Sequence, residues 1–262
     1  MRIIRFFRIA PIIILGFTTL FFNSSIASQQ EAYGSGLSTS TILDLNDLKT
    51  NPNNYDWFDF RPNLKKLILS GAADTEHVSI LWYTISNGSV GLHYHSMTES
   101  VYAIDGQQTD GKGTYPTGTV YFNPLGSGHE IWDSSGFFIL AYASPPDFVN
   151  TDLIEEYQPV RIDIADPDLE NLYPFKRKKR GVWVYDLPLD KKGGMNSEII
   201  KSTSTKSYKY KGNYLLVIRG SCNIDGTNFG KDMLIVATTV ELQTYRVTAT
   251  ENYSCLAMGV SF

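Results

Sequence analysis

Three of the four histidines in the chain, together with one glutamate, occur at spacings that suit metal binding. His93 and His95 are separated by one residue, and Glu99 follows shortly after. Because successive side chains of a β-strand alternate between faces, His93 and His95 are expected to point the same way. A turn rich in Pro and Gly, residues 124–128, then leads to a third imidazole at His129. Imidazole nitrogens and carboxylate oxygens are ligands that first-row divalent metals accept, so the pattern predicts a metal site.

The same stretch resembles the two linked motifs of the cupins, a family of small double-stranded β-barrels. The first motif usually reads Gly, five residues, His-x-His, three or four residues, Glu, six residues, Gly. The second usually reads Gly, five residues, Pro-x-Gly, two residues, His, three residues, Asn. The matching positions are His93, His95, Glu99 and Gly106 in the first motif and Gly118, Pro124, Gly126 and His129 in the second. Two positions depart from the patterns. Gly88 lies one residue closer than usual, unless Gly91 takes over its turn, and Asp133 replaces the closing Asn.

The resemblance implies that His93, His95, Glu99 and His129 bind one divalent transition metal: Fe, Mn, Ni, Cu or Zn. Glu99 is in addition the candidate catalytic proton acceptor. Since the set contains no thiolate, it differs from Cys-rich structural zinc sites. In the family the ligands point into the barrel, which makes the aromatic residues nearby candidate pocket walls. These candidates are Trp82, Tyr83, Tyr94, Tyr102, Tyr121 and Phe122.

Two further polar residues have open roles at this stage. Asp133 is expected either to hydrogen-bond the outer nitrogen of a ligand histidine or to serve as a turn residue. His77 matches neither motif, and we expect it to be a surface or hydrogen-bonded histidine.

Composition and patterning favour an all-β fold. Aromatic residues make up 13% of the chain, and short β-branched and aromatic segments such as 78–85 and 137–142 are bounded by turn residues. We predict a strand over 78–85 ending at a turn over 86–89, and a loop over 111–118. No long amphipathic helix is indicated between them. Together with the resemblance, this predicts two tandem cupin-type jelly-roll barrels.

The second barrel is predicted from a weak internal repeat. Residues 214–220 mirror 100–106, and residues 230–236 mirror 118–124. Superposing these segments places Ser207, Lys209 and Asn213 where His93, His95 and Glu99 stand, and Glu241 opposite His129. Because an ammonium and neutral oxygens do not replace two imidazoles around a cation, we expect the second barrel to be metal-free. The predicted organisation is a signal peptide (1–27), a polar leader (28–54), a metal-binding cupin barrel (55–150), a connector (151–180) and a degenerate cupin-like barrel (181–262).

The amino terminus indicates export. A basic start with Arg2, Arg5 and Arg8 precedes an apolar run over 9–22 and a small-residue close near Ala27, as in a secretory signal peptide. The run is shorter than the ~20 residues that a membrane span needs, so we expect cleavage rather than stable insertion, and a periplasmic or extracellular protein. Loss of the three arginines changes the net charge from −4 to −7, which offers no attraction for nucleic acid.

The two cysteines, Cys222 and Cys255, are permitted to pair in an oxidising compartment. The sequence leaves open whether they form a disulfide or remain two buried thiols. The basic run over 176–180 is interpreted as a solvated linker face rather than a partner-binding patch.

Two functions fit these observations. The first is a metal-dependent enzyme of the dioxygenase type acting on a small molecule. The second is a non-catalytic exported cupin that binds a metal or small ligand for sensing, storage or sequestration. Because cupins host both kinds of function, the resemblance does not separate them. Association into a homodimer is also expected from the resemblance.

Overall fold

The computed structural model describes residues 37–250 and 253–262, which fold into two β-barrels, confirming the predicted fold class. The predicted signal peptide lies outside the described residues. The first nine strands are β1 (Ser40–Asp44), β2 (Phe58–Arg61), β3 (Leu64–Gly71), β4 (His77–Tyr94), β5 (Glu99–Asp110), β6 (Gly113–Pro116), β7 (Thr119–Asn123), β8 (Gly128–Tyr142) and β9 (Val160–Asp163). The last ten are β10 (Lys176–Lys179), β11 (Val182–Asp186), β12 (Asn196–Ser202), β13 (Tyr208–Gly212), β14 (Tyr214–Gly220), β15 (Cys222–Ile224), β16 (Thr227–Phe229), β17 (Met233–Ala237), β18 (Gln243–Ala249) and β19 (Cys255–Ser261).

Helices are short and peripheral in the described part of the chain. The α-helices are α1 (Leu45–Thr50) and α2 (Leu169–Leu172). Single 3₁₀ turns span Pro52–Asn54, Thr151–Leu153 and Lys191–Gly193. Helix α1 begins where the Asp44 carboxylate accepts hydrogen bonds from the backbone N–H groups of Asn46 and Asp47. Within residues 37–250 and 253–262, no helix has the length and hydrophobicity to span a bilayer.

The first barrel is an antiparallel sheet with strand order β2-β3-β4-β8-β5-β7-β9, and β6 pairs with β5. Two of its strands differ from the sequence expectation. Strand β4 does not end at residues 86–89 but continues to Tyr94, with shifts of register between Tyr83 and His93 where it bends. Similarly, the expected loop over 111–118 contains β6, which forms a hairpin with β5. Turn residues inside these segments mark bends and a tight hairpin rather than the ends of pairing.

The second barrel repeats the strand order of the first. Its seven-stranded sheet runs β10-β11-β12-β19-β14-β17-β1, and β13, β18, β15 and β16 form a four-stranded sheet. All strands of the larger sheet but one come from the same place in the repeat as their counterparts in the first barrel. The exception is the end strand. In the second barrel it is β1, from the predicted leader, and in the first barrel it is β9, from the predicted connector. The leader therefore joins the carboxy-terminal barrel.

Two glycines show the repeat at the level of backbone geometry. Gly106 has φ +78° and Gly220 has φ +77°. A Cβ atom at Gly106 would lie 2.1 Å from the carbonyl oxygen of Ser135, and one at Gly220 would lie 1.9 Å from that of Ser254. Both positions therefore require glycine for the same two reasons, a left-handed backbone and a close approach to the neighbouring strand.

Three apolar clusters hold the barrels together. One fills the interior of the first barrel and contains Tyr83 and Phe138, and another fills the second barrel and contains Tyr210 and Tyr245. The largest lies between the barrels and combines side chains from both, including Ile139. The basic strand β10 is exposed and forms the edge of its sheet, where charged side chains discourage pairing with other chains.

Cys222 and Cys255 form a disulfide, which answers the question that the sequence left open. Cys222 begins β15 in the four-stranded sheet, and Cys255 begins β19 in the seven-stranded sheet. The bond therefore ties the two sheets of the second barrel together.

We expect replacement of both cysteines by alanine to lower the free energy of unfolding by about 3–4 kcal/mol. The bond closes a loop with a sequence separation of 33 residues, and the chain-entropy model assigns about this stabilisation to a loop of that length. Urea unfolding of the parent and the double variant measures the difference. Dithiothreitol should destabilise the parent and leave the variant unchanged; an equal response of both would contradict the assignment.

Candidate metal centre

Strand pairing places His93 directly opposite His129. The two residues are register partners of β4 and β8, so both side chains leave the same face of the sheet, and their ring centroids are 4.6 Å apart. His95 follows β4 and is fixed by its backbone, since its N–H donates to Ser127 (2.8 Å) and its carbonyl accepts from Gly126 (2.9 Å). Its ring centroid lies 4.8 Å from that of His93 and 5.2 Å from that of His129.

The three imidazoles converge on one point. One ligand atom from each of His93, His95 and His129 lies within 4.8 Å of the other two, and all three side chains are buried. Glu99, the first residue of β5, places Oε2 3.4 Å from Nε2 of His95 and 3.5 Å from Nε2 of His129. The carboxylate thus approaches two of the three imidazoles.

Hydrogen bonds set which nitrogen of each ring faces the cluster. Nδ1–H of His93 donates to the carbonyl of Gly91 (2.8 Å), and Nδ1–H of His129 donates to Oδ2 of Asp110 (2.8 Å). In both rings Nε2 therefore faces the cluster and is the nitrogen that would bind a metal in the neutral ring. The imidazole of His95 makes no hydrogen bond although it is buried. A buried imidazole without a hydrogen bond is uncommon and costly, and coordination of a cation would satisfy it.

The sequence interpretation missed two residues that orient the cluster. Asp110 was not singled out in the sequence, yet its Oδ1 caps a turn by accepting from the N–H groups of Lys112 and Gly113 while Oδ2 accepts from His129. Asn123 donates from Nδ2 to Oε2 of Glu99 (2.8 Å). Asn123 could have been found from its position at the end of β7, where it is the register partner of Glu99.

Asp133 does not contact a histidine. It has φ +50° and is exposed within β8, near a shift of register against β5, where its carboxylate accepts a hydrogen bond from Gln107. Neither expected role is observed, because the residue lies inside a strand and its carboxylate faces Gln107. His77 is buried and hydrogen-bonded, with Nδ1–H donating to the carbonyl of Thr75 (2.7 Å), and lies outside the three-histidine group.

A small cavity of about 20 Å³ adjoins the cluster, which is room for about one water molecule. Its walls are Phe60, Leu81, Tyr83, Val90, His93, Glu99, Gln108, His129, Ile131, Leu140, Tyr142, Pro146 and Phe148. Of the six aromatic residues expected to line a pocket, only Tyr83 does so. Tyr102 and Phe122 belong to the core between the barrels, because alternation along the strands turns them to the opposite face.

The ionisable groups of the cluster influence one another strongly. Burial, reinforced by the other imidazoles, lowers the pKa of His93 to about 3, and burial lowers that of His95 to about 4. Burial alone would lower the pKa of His129, but hydrogen bonds to Asp110 and Glu99 raise it to about 9. Burial would raise the pKa of Glu99, but His95 and His129 hold it well below its usual range. Without a metal the cluster is therefore a carboxylate, one imidazolium and two neutral imidazoles.

The residue types and their convergence fit a first-row transition metal. Three imidazoles and a carboxylate are ligands that a borderline ion accepts, so His93, His95, Glu99 and His129 would hold it.

Comparison with known proteins agrees with this fold. Residues 46–145 match the family model of the ChrR cupin-like domain. A putative dioxygenase from Nostoc punctiforme is similar in structure, with a TM-score of 0.53 and 11% identity over 85% of this chain and 82% of that one. Salicylate 1,2-dioxygenase from Pseudoaminobacter salicylatoxidans has a TM-score of 0.52 and 10% identity, over 84% of this chain and 80% of that one. No curated protein is significantly similar in sequence.

Together, these findings show a two-barrel fold of the cupin type, with a cupin-like sequence over residues 46–145 and a three-histidine group in the first barrel.

We expect the metal-free protein to be most stable near pH 6.5 and less stable at both lower and higher pH. Below this pH, unfolded histidines bind protons while His77, His93 and His95 stay neutral, because burial lowers their pKa values to about 4, 3 and 4. Glu198 has the opposite effect, since burial raises its pKa to about 7 and the folded protein binds a proton there as the pH falls. This offsets the effect of one histidine. The net effect of two histidines should lower the free energy of unfolding by roughly 3 kcal/mol between pH 6.5 and 5. Above pH 7, the raised pKa of His129 means that its stabilising charge is lost as the pH rises toward 9.

Urea unfolding of chelator-treated protein at several pH values between 5 and 8 tests this dependence. Metal-loaded protein is the control. Its His129 is held neutral by coordination, so the decrease above pH 7 should disappear. A metal-free stability that does not change between pH 5 and 6.5 would contradict the neutral buried histidines.

Proposed function

We propose that the protein is an exported metal-dependent enzyme that acts on a small molecule, with the metal held by His93, His95, Glu99 and His129. The observation that carries the proposal is the convergence of three buried imidazoles, one of them without a hydrogen bond, beside a cavity that His93 and His129 line. A bound ion would supply Lewis-acid or redox chemistry there. The dioxygenase-like chemistry of the proposal is consistent with the description of two structural neighbours, whose low identity supports the fold alone.

The chain's own residues would orient the reacting groups and exclude water. Asp110 holds the tautomer and ring plane of His129, and Asn123 holds the carboxylate of Glu99. Glu99 is in a position to accept a proton from a substrate in the cavity, since Glu99 is one of the cavity's walls. Apolar walls such as Val90 and Ile131 keep the cavity dry and strengthen the electrostatic interactions inside it.

Export is part of the proposal and is supported by the signal-peptide pattern over residues 1–27. The Cys222–Cys255 disulfide suits an oxidising compartment. The proposed domain boundaries are those predicted from the sequence, with the addition that β1 of the leader pairs with the second barrel.

A non-catalytic role in metal or ligand binding is the second candidate. The observation that favours it is the size of the cavity, about 20 Å³, which has no room for an organic substrate unless a wall residue moves.

The metal assignment is tested by a matched pair of histidine variants. We expect purified protein to carry about one equivalent of transition metal, His95→Gln to lose most of it, and His77→Gln to retain it, because only His95 belongs to the convergent group. Inductively coupled plasma mass spectrometry of natively purified samples measures the content. Equal loss in both variants, or parent protein without metal, would refute the site.

The enzyme assignment is tested by oxygen uptake with diketones, flavonols, catechol-like phenols and thiols. We expect the protein loaded with one of Fe, Mn, Ni, Cu or Zn to turn over at least one of these classes, and Glu99→Gln to lower the rate by about 10²-fold through loss of the proton acceptor. Glu99→Gln protein that still carries metal separates lost proton transfer from lost metal. Absence of turnover with every metal would favour the binding role.

A further inference from the structure

Two cations lie beside the cavity without a counter-ion. Lys66, on β3, is 2% exposed, and Arg61, at the end of β2, is partly buried. Among the residues that the structure describes, no carboxylate oxygen comes within ion-pair distance of either side chain. The Nε atom of Arg61 is in addition buried without a hydrogen-bond partner. Buried cations of this kind are costly, and each requires a physical explanation.

His77 explains how the ammonium of Lys66 is held. Because Nδ1–H of His77 donates to Thr75, its Nε2 is an acceptor, and Nζ of Lys66 lies 3.2 Å from it. Burial lowers the pKa of Lys66 to about 8, so the amine remains mostly protonated at pH 7. The fourth histidine of the chain therefore positions a buried ammonium group.

Both cations rest on aromatic side chains that are walls of the cavity. Nζ of Lys66 lies 4.1 Å from the ring centroid of Phe60 and 5.4 Å from that of Tyr142. The guanidinium of Arg61 lies 4.2 Å from the ring centroid of Phe148 and 5.3 Å from that of Phe60. Phe60, Tyr142 and Phe148 all line the cavity. Cation–π contacts of this type hold a cation in place but leave its charge uncompensated.

The same aromatic residues contact the proposed metal ligands. Phe148 lies on His93, with ring centroids 5.1 Å apart, and Tyr142 is the register partner of Glu99. Phe148 is 37% exposed, so it forms the outer wall of the cavity. The two cations therefore lie across a single layer of aromatic side chains from the metal centre.

The charges of the loaded site do not balance. A divalent ion, Lys66 and Arg61 together carry four positive charges, and Glu99 and Asp110 offset two of them. Coordination would keep His129 neutral. Two positive charges remain, and the carboxylate of an organic anion would neutralise one of them.

We propose that Lys66 and Arg61 form an anion subsite that binds the carboxylate of a small organic substrate whose other end reaches the metal centre. A guanidinium presents a planar pair of donors that matches a carboxylate, and a positioned ammonium adds a charge-assisted hydrogen bond. Phe148, between Arg61 and His93, would move aside to admit the ligand. This inference rests on the proposed metal site and names the substrate class for it.

The test compares acetate with its neutral isostere acetamide on metal-loaded protein at pH 7. Saturation-transfer NMR of the ligand methyl group measures the dissociation constants. We expect acetate to bind at least about tenfold more tightly than acetamide, as one charge-assisted contact requires. Lys66→Met and Arg61→Gln should each reduce this preference by about tenfold without loss of metal.

Lys65→Met is the matched control. Lys65 is the sequence neighbour of Lys66, but its side chain is 37% exposed and pairs with Asp59 at 3.4 Å on the outside of the barrel. This variant should keep the preference for acetate. If Lys66→Met fails to fold, Arg61→Gln alone decides, since Arg61 is only partly buried.

The outcomes separate the subsite from the metal centre. An unchanged preference for acetate in metal-loaded Lys66→Met and Arg61→Gln would mean that the ion alone binds the anion, which overturns the subsite. Equal binding of acetate and acetamide by metal-loaded parent protein overturns it as well. Parent protein that takes up no metal, measured separately by mass spectrometry, overturns the metal centre on which the inference rests.

Discussion

The antiparallel pairing of β4 with β8 is the constraint on which the site depends. A β-ladder fixes which residues face each other, and here it sets His93 opposite His129 although they are 36 positions apart in the sequence. A shift of one residue would turn one imidazole to the other side of the sheet. The bend of β4 between Tyr83 and His93, with its irregular register, allows one strand to pass through the core between the barrels and then reach the centre.

The repeat of strand order shows that the two barrels depend on each other. Strand β9 completes the sheet of the first barrel, and β1 occupies the equivalent place in the second. The amino-terminal leader therefore forms part of the carboxy-terminal barrel. In addition, the largest apolar cluster contains side chains of both barrels. In the second barrel, Tyr210 and Tyr245 fill the interior, where their packing stabilises the fold.

The fold and the convergence of the histidines were predictable from sequence because they depend on local patterns. Alternation along strands, turn residues and the motif spacing placed His93, His95 and His129 together. The remaining features depend on pairing between distant strands. Asp110 looks like an ordinary turn residue, and only the hairpin of β5 with β6 shows that its second oxygen faces His129. The prediction of the pocket walls was mostly wrong, because the direction of each side chain depends on where a strand bends.

The contact between His77 and Lys66 also depends on pairing between strands and could not be predicted from the sequence. In the sequence, a lone histidine before a strand and the second of two adjacent lysines carry no signal, and each is more often a surface residue. In the fold, β3 and β4 bring them together in the interior, where the neutral imidazole accepts from the ammonium. A buried lysine without a carboxylate partner is tolerated only if something offsets its charge. Aromatic faces and one imidazole do this incompletely, and a substrate anion in the neighbouring cavity would supply the rest.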